Sequence, residues 1–149
     1  MSEIKPVRIA GVKPVRDYTL TIAFMNGRAL AVDLRDFVHR FKGLRPLRDP
    51  TVFARADVGE DGFSLVWPGN LDVGADQLYE MALEQNGRRD AAAFIRWRWR
   101  NKLSLSEAAD ALGLSRRMVS YYESGEREVP RTVLLALKGW EAERQHAVA

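Results

Sequence analysis

Alternation of apolar and polar side chains in the first half of the chain gives way to three- and four-residue spacing in the second, and this change of period divides the sequence. Val7 to Val12, Tyr18 to Phe24 and Ala29 to Leu34 carry the two-residue period of half-buried strands. Between the second and third, Met25-Asn26-Gly27-Arg28 supplies an Asn-Gly pair, which predicts a tight turn with positive φ and so a hairpin. Phe37, Val38 and Phe41 predict a short helix over 36–42, ended by Gly43. The following stretch is irregular, with Pro46, Pro50 and one helical turn at Thr51-Val52-Phe53-Ala54. Gly62 to Trp67 reads as another strand, stopped by Pro68-Gly69-Asn70. Leu78, Tyr79, Ala82 and Leu83 share one face of a helix over 75–85. The polar, glycine-bearing Gln85-Asn86-Gly87-Arg88-Arg89 then marks a boundary, giving domains 1–86 and 87–149.

The second half is helical throughout. Phe94, Ile95 and Arg98 or Trp99 have core-facing spacing in a helix over 90–102. Trp97 and Trp99 point about 200° apart on that helix, so they cannot form one stacking platform; one belongs to the core and the other to an interface. Ser104-Leu105-Ser106-Glu107 fits a capping box that opens a new helix with Ala108, Ala109 and Leu112 as its buried stripe. Gly113 supplies the left-handed exit, Leu114 plugs the turn, and Ser115 caps a following helix over 116–124 that Gly125 ends. Val119, with Met118 and Tyr122, supplies its core positions. Pro130 is placed as the first residue of a last helix carrying Val133, Leu134, Leu137 and Trp140. The fold class expected is therefore an α+β domain with an antiparallel hairpin, followed by an all-α domain built around two capped helices joined by Gly113-Leu114-Ser115, the arrangement of a helix-turn-helix.

Composition sharpens this picture only when it is divided. The net charge is +3, but residues 1–86 hold 11 Lys/Arg against 12 Asp/Glu and residues 87–149 hold 12 against 8, so the halves stand at −1 and +4. A neutral domain joined to a basic one is the asymmetry expected when only one part meets a polyanion. The absence of cysteine excludes disulfides, thiolate metal sites and thiol nucleophiles, and suits a cytoplasmic setting. The start, Met1 to Pro6, has no apolar leader segment, and no apolar run approaches a bilayer span, so no membrane role is expected.

Leu103-Ser104, Glu107-Ala108-Ala109, Leu112-Gly113-Leu114-Ser115, Val119-Ser120 and Glu123-Ser124-Gly125 together resemble the Xre/Cro-like helix-turn-helix family, with its lambda-repressor-like fold. One position departs from the family pattern: Leu105 stands where Gln is frequent. The resemblance implies binding to double-stranded DNA. It places Arg116, Arg117, Ser120 and Tyr121 on the outward, N-terminal part of the recognition helix as candidates for base contact. Lys102, Ser115, Ser124, Arg127 and Arg131 flank that helix and suit phosphates. Two cations at a helix N-terminus oppose the helix dipole, so Arg116 and Arg117 are better explained by an anionic partner than by helix stability. Glu123, the sole acid of the segment, is read from the resemblance as a structural carboxylate holding the helix end. In the first half, Leu47-Arg48-Asp49-Pro50 with Phe53, Val66-Trp67-Pro68-Gly69-Asn70, Asp72 and Leu78-Tyr79 resemble a small bacterial domain-of-unknown-function family with a Trp-Pro-x-Gly-x-Asp signature. Its members occur alone or fused to Xre-type domains and carry no established activity.

Enzymatic chemistry finds little footing. His39 and His146 are too isolated for a metal site. Asp57, Glu60, Asp61, Asp72 and Asp76 lack a paired-carboxylate spacing, and no phosphate-cradling glycine loop or base-activated nucleophile is present. Trp67, Pro68 and Asp72 are read as a strand end and a capped turn rather than a pocket. No catalytic residue, cofactor or metal is expected. The functional expectation is a transcriptional regulator that binds double-stranded DNA as a homodimer, with dimerisation, a protein partner or a ligand as the role of residues 1–86. The alternatives are an antitoxin-like autorepressor and a protein-interaction module that uses the helices as a scaffold.

Overall fold

The computed structural model describes residues 7–148; Met1 to Pro6, where the absence of a leader was read, and Ala149 lie outside the described residues. The chain forms two compact units that divide between Gly87 and Arg88. The first contains two three-stranded antiparallel sheets. β1 (Ile9–Arg16), β2 (Thr19–Phe24) and β3 (Ala29–Asp33) form one, in the order β1-β2-β3. β4 (Asp57–Val58), β5 (Ser64–Trp67) and β6 (Leu71–Gly74) form the other. Strict alternation is what buries one face: Leu20, Ile22 and Phe24 on β2 and Leu30 and Val32 on β3 are all buried. α1 (Arg35–Arg40), α2 (Pro50–Phe53) and α3 (Ala75–Gln85) belong to the same unit, α3 burying Leu78, Tyr79, Ala82 and Leu83 as its spacing predicts.

Several elements differ in detail from the sequence expectation. The hairpin between β2 and β3 stands where Asn-Gly predicts it, but only Gly27 takes positive φ, at 90°. The Asn26 carboxamide oxygen instead accepts from Arg28 N at 3.0 Å, so a side chain rather than a second left-handed residue closes the turn. β1 begins at Ile9 and runs on to Arg16, two Cα-register shifts allowing it to follow β2 past Pro14. The strand expected from Gly62 starts at Ser64, because Glu60–Gly62 forms a 3-10 turn with Asp61 and Gly62 at φ 57° and 78°. The expected helix 36–42 ends at Arg40, and a 3-10 segment, Lys42–Arg48, follows it. Pro68-Gly69-Asn70 does not end the sheet; Gly69 and Asn70, both at positive φ, turn the chain back into β6. Trp67 is buried and its indole N–H donates to Phe53 O at 2.8 Å, as a strand end in the core. Asp72 lies in β6 opposite Val66 and makes no side-chain hydrogen bond among the described residues, so it caps no turn.

The boundary segment has a structural use that its polarity concealed. Gln85 accepts from Asp33 N at 2.7 Å and donates to Asp33 O at 2.9 Å, while Asn86 donates to Ala31 O at 2.8 Å. These side chains cover the Asp33 end and the Ala31 carbonyl of the outer backbone edge of β3, which would otherwise be open to strand addition there.

The second unit is helical: α4 (Arg89–Arg100), α5 (Leu105–Leu112), α6 (Arg116–Ser124) and α7 (Arg131–Val148). Phe94, Trp97, Leu103, Leu105, Ala108, Val119, Tyr122 and Leu137 form its core. Trp97 is buried, edge-on to Trp140 at 5.4 Å, whereas Trp99 is partly exposed. Pro130 stands one residue outside α7, and its carbonyl accepts from Val133 N and Leu134 N. No described helix is long and apolar enough to cross a membrane.

Candidate nucleic-acid interface

Local chemistry fixes the two helices that would meet a polyanion. Ser104 Oγ accepts from Glu107 N at 3.0 Å and the Glu107 carboxylate accepts from Ser104 N at 2.9 Å, a complete capping box at the start of α5. α5 ends at Gly113, whose φ of 68° sends the chain sharply into α6. Ser115 then caps α6 by accepting from Met118 N at 3.0 Å. The backbone N–H groups of the first turn, at Arg116 and Arg117, are left pointing out of the helix end. Leu105, the residue at the departing family position, is buried in the core and offers nothing to a ligand.

Packing decides which face of α6 stays free. Val119, Tyr122 and Glu123 are buried, and Met118 packs partly against the core. At about 100° per residue these occupy one side of the helix, which turns Arg117, Ser120, Tyr121 and Ser124 to the other and leaves Arg116 at the border, beside Glu123. Arg116 and Arg117 are exposed, and Ser120 and Tyr121 are half-buried. Arg117 Nε donates to Tyr121 Oη at 2.6 Å, and the guanidinium carbons of Arg117 and Arg127 each lie 5.5 Å from the Tyr121 ring centroid. None of Arg116, Arg117 and Arg127 has a carboxylate within ion-pair distance among the described residues, although Glu126 and Glu128 are exposed in the adjoining loop. Two cations, Arg117 and Arg127, thus gather around one phenol ring, with exposed Arg116 at the start of the same helix.

The other residues expected at phosphates are distributed differently. Ser115 is the α6 cap described above, and the Ser124 hydroxyl closes the helix, donating to Tyr121 O at 3.3 Å and accepting from Glu126 N. Arg127 joins the Tyr121 cluster. Lys102 is exposed in the α4–α5 connection with φ 55°. Arg131 is exposed in the first turn of α7, on the wall of a concavity of about 350 Å³ between α4 and α7 that Trp97, Leu134 and Lys138 also line. His39 and His146 are exposed, and His39 Nδ1 lies 2.8 Å from Arg35 O.

One buried and one half-buried polar construction support the interface, and sequence spacing did not pair the residues of either. Arg98 of α4 binds Glu123 of α6 through two hydrogen bonds, with Nη2 2.8 Å from Oε1 and Nε on Oε2, while Nη1 donates to Leu103 O at 3.0 Å. Burial pushes the Glu123 carboxyl up, against the pull of the guanidinium. Arg88 donates from Nη1 to Gly125 O and from Nη2 to Arg127 O at 3.2 Å, and Asp90 accepts from Val129 N at 2.8 Å. These bonds clamp the loop that leaves α6. Burial raises the Asp90 carboxyl, but hydrogen bonds from Arg88, Val129 N and Ala91 N more than offset it and hold the group below the ordinary carboxylate value.

With this geometry in hand, comparison with known proteins is specific. A helix-turn-helix family profile matches residues 96–137, spanning the end of α4 through the first part of α7. A solved crystal structure, that of a "putative DNA binding protein" from Nitrosomonas europaea ATCC 19718, is 40% identical; the match covers 97% of this chain and 92% of that one, with a TM-score of 0.70. No curated protein matches. A second profile, described as a protein of unknown function, DUF2442, matches residues 9–84, and the chain is therefore a member of the DUF2442 family that also carries a helix-turn-helix.

Proposed function

We propose that this protein is a sequence-selective double-stranded DNA-binding transcriptional regulator that reads the major groove with α6. The observation that carries this reading is the free face of α6, where Arg117 and Arg127 lie against Tyr121 and Arg116 is exposed at the helix start, none of the three with a carboxylate within ion-pair distance among the described residues. Such a surface is poorly arranged for stability and well arranged for phosphates and guanine edges. The solved structure it resembles is described as a "putative DNA binding protein", which supports the same reading. Arg116, Arg117, Ser120 and Tyr121 are the base-reading edge, and Lys102, Ser115, Ser124, Arg127 and Arg131 contribute phosphate contacts.

A nine-residue α6 is about 13 Å long at 1.5 Å per residue, enough for only a few base pairs. A homodimer reading two half-sites about 34 Å apart would supply the missing specificity. Residues 1–86 form the separate domain that takes the protein partner or ligand, and residues 87–149 the DNA-binding domain. Selection of bound sequences from random duplexes with the whole chain tests this function. A palindromic motif whose affinity falls steeply with salt is expected; retention of no duplex, or of all duplexes equally, would overturn it.

A further inference from the structure

We infer that Tyr121 is a positioning residue that fixes Arg117 for end-on reading of a guanine, an inference that rests on the DNA-binding role proposed above. The Tyr121 oxygen accepts from Arg117 Nε at 2.6 Å, and the ring lies 5.5 Å from the guanidinium carbon. With Nε occupied, the donors left to Arg117 are the terminal pair Nη1 and Nη2. Those two parallel N–H groups match O6 and N7 of guanine in the major groove. An exposed arginine ordinarily loses several rotatable bonds of freedom on docking, and a guanidinium already held by a phenol loses less.

Tyr121 is itself held. Its carbonyl accepts from Arg127 N at 3.2 Å and from the Ser124 hydroxyl, and the Arg127 guanidinium lies beside its ring. Arg88 in turn bonds the Arg127 carbonyl at 3.2 Å. Arg116, one residue earlier, has no such support, so guanine selectivity resides in Arg117.

The test compares the whole wild-type chain with Tyr121→Phe, Arg117→Ala and the double variant on the selected duplex, on a scrambled duplex, and on the selected duplex with 7-deazaguanine replacing each guanine in turn. Tyr121→Phe keeps the ring and removes the hydroxyl. It is expected to lower the preference for the selected duplex on the order of tenfold, with scrambled-duplex affinity and salt slope nearly unchanged. The double variant is expected to be no worse than Arg117→Ala alone, and one 7-deazaguanine position is expected to weaken wild type but not Arg117→Ala. In the free protein, the Arg117 Nε–H resonance should exchange slowly with solvent and lose that protection in Tyr121→Phe. Wild-type selectivity with an unaltered Tyr121→Phe, or additive effects in the double variant, would overturn this inference alone. Failure of wild type to prefer any duplex would overturn the DNA-binding reading and this inference with it.

Discussion

The Arg98 guanidinium of α4 and the Glu123 carboxylate of α6 form a buried two-bond ion pair that ties the recognition helix to the helix beneath it, with both side chains at most 10% exposed. Desolvation makes such a pair a weak net stabiliser while intact, but leaving one member alone strands an uncompensated charge. Glu123→Ala or Arg98→Met is expected to cost about 3–5 kcal/mol, and Arg98→Met with Glu123→Leu to recover most of that loss. Calorimetry of the whole chain, reading the transition of the helical unit, checks this. Single variants within 1 kcal/mol of wild type, on the order of ordinary surface changes, would contradict it.

Acid should loosen the α6 exit loop through Asp90. Its folded carboxyl lies below its ordinary value of 3.8 because Arg88 and two backbone N–H groups favour the charged form. The protein therefore gains stability from this group above the ordinary carboxylate range and loses it as pH falls through the lower folded value. Asp90→Asn keeps an oxygen for Val129 N but forfeits the charge beside Arg88. It is expected to be less stable than wild type at neutral pH and to show a flatter decline below about pH 4. Urea midpoints measured against pH would show the two curves converging in acid; parallel curves would rule out this role.

Gly62 is a position where a side chain has no room. Its φ is 78°, and an added Cβ would lie 2.4 Å from the Ile9 carbonyl oxygen. Gly62→Ala is expected to destabilise the first unit by about 1–3 kcal/mol from backbone strain, before the clash is counted. Its thermal transition should fall while that of the helical unit stays in place.

Gln85→Ala removes both bonds that cover Asp33 at the β3 edge. A loss of about 1–2 kcal/mol is expected, together with concentration-dependent self-association through the uncovered edge, visible by light scattering.

The helix-turn-helix was the most legible part of the sequence, because its determinants are local. Ser104 with Glu107, Gly113, Ser115 and Gly125 each act within four residues of themselves, and each is found performing the expected capping or turning task. Long-range partners were not legible. Nothing in the spacing of Arg98 and Glu123, 25 residues apart, or of Arg88 and Gly125, 37 apart, announces a bond between them. The core-facing spacing of Arg98 was the available signal, since a buried guanidinium requires an acid and Glu123 was already read as structural. β4 has only two residues and therefore no period to detect, and β6 was hidden behind a Pro-Gly-Asn turn that looked like a stop. The Ser124 hydroxyl, expected at a phosphate, also closes its own helix, a use that sequence position alone does not announce.

The account turns on the free face of α6, and the most direct measurement is the affinity of Arg116→Ala with Arg117→Ala for a duplex selected by wild type, against a scrambled duplex at the same salt. The ratio of the two is predicted to collapse toward one, with helical circular dichroism unchanged because neither side chain is buried. A ratio equal to that of wild type would mean that α6 does not read the DNA.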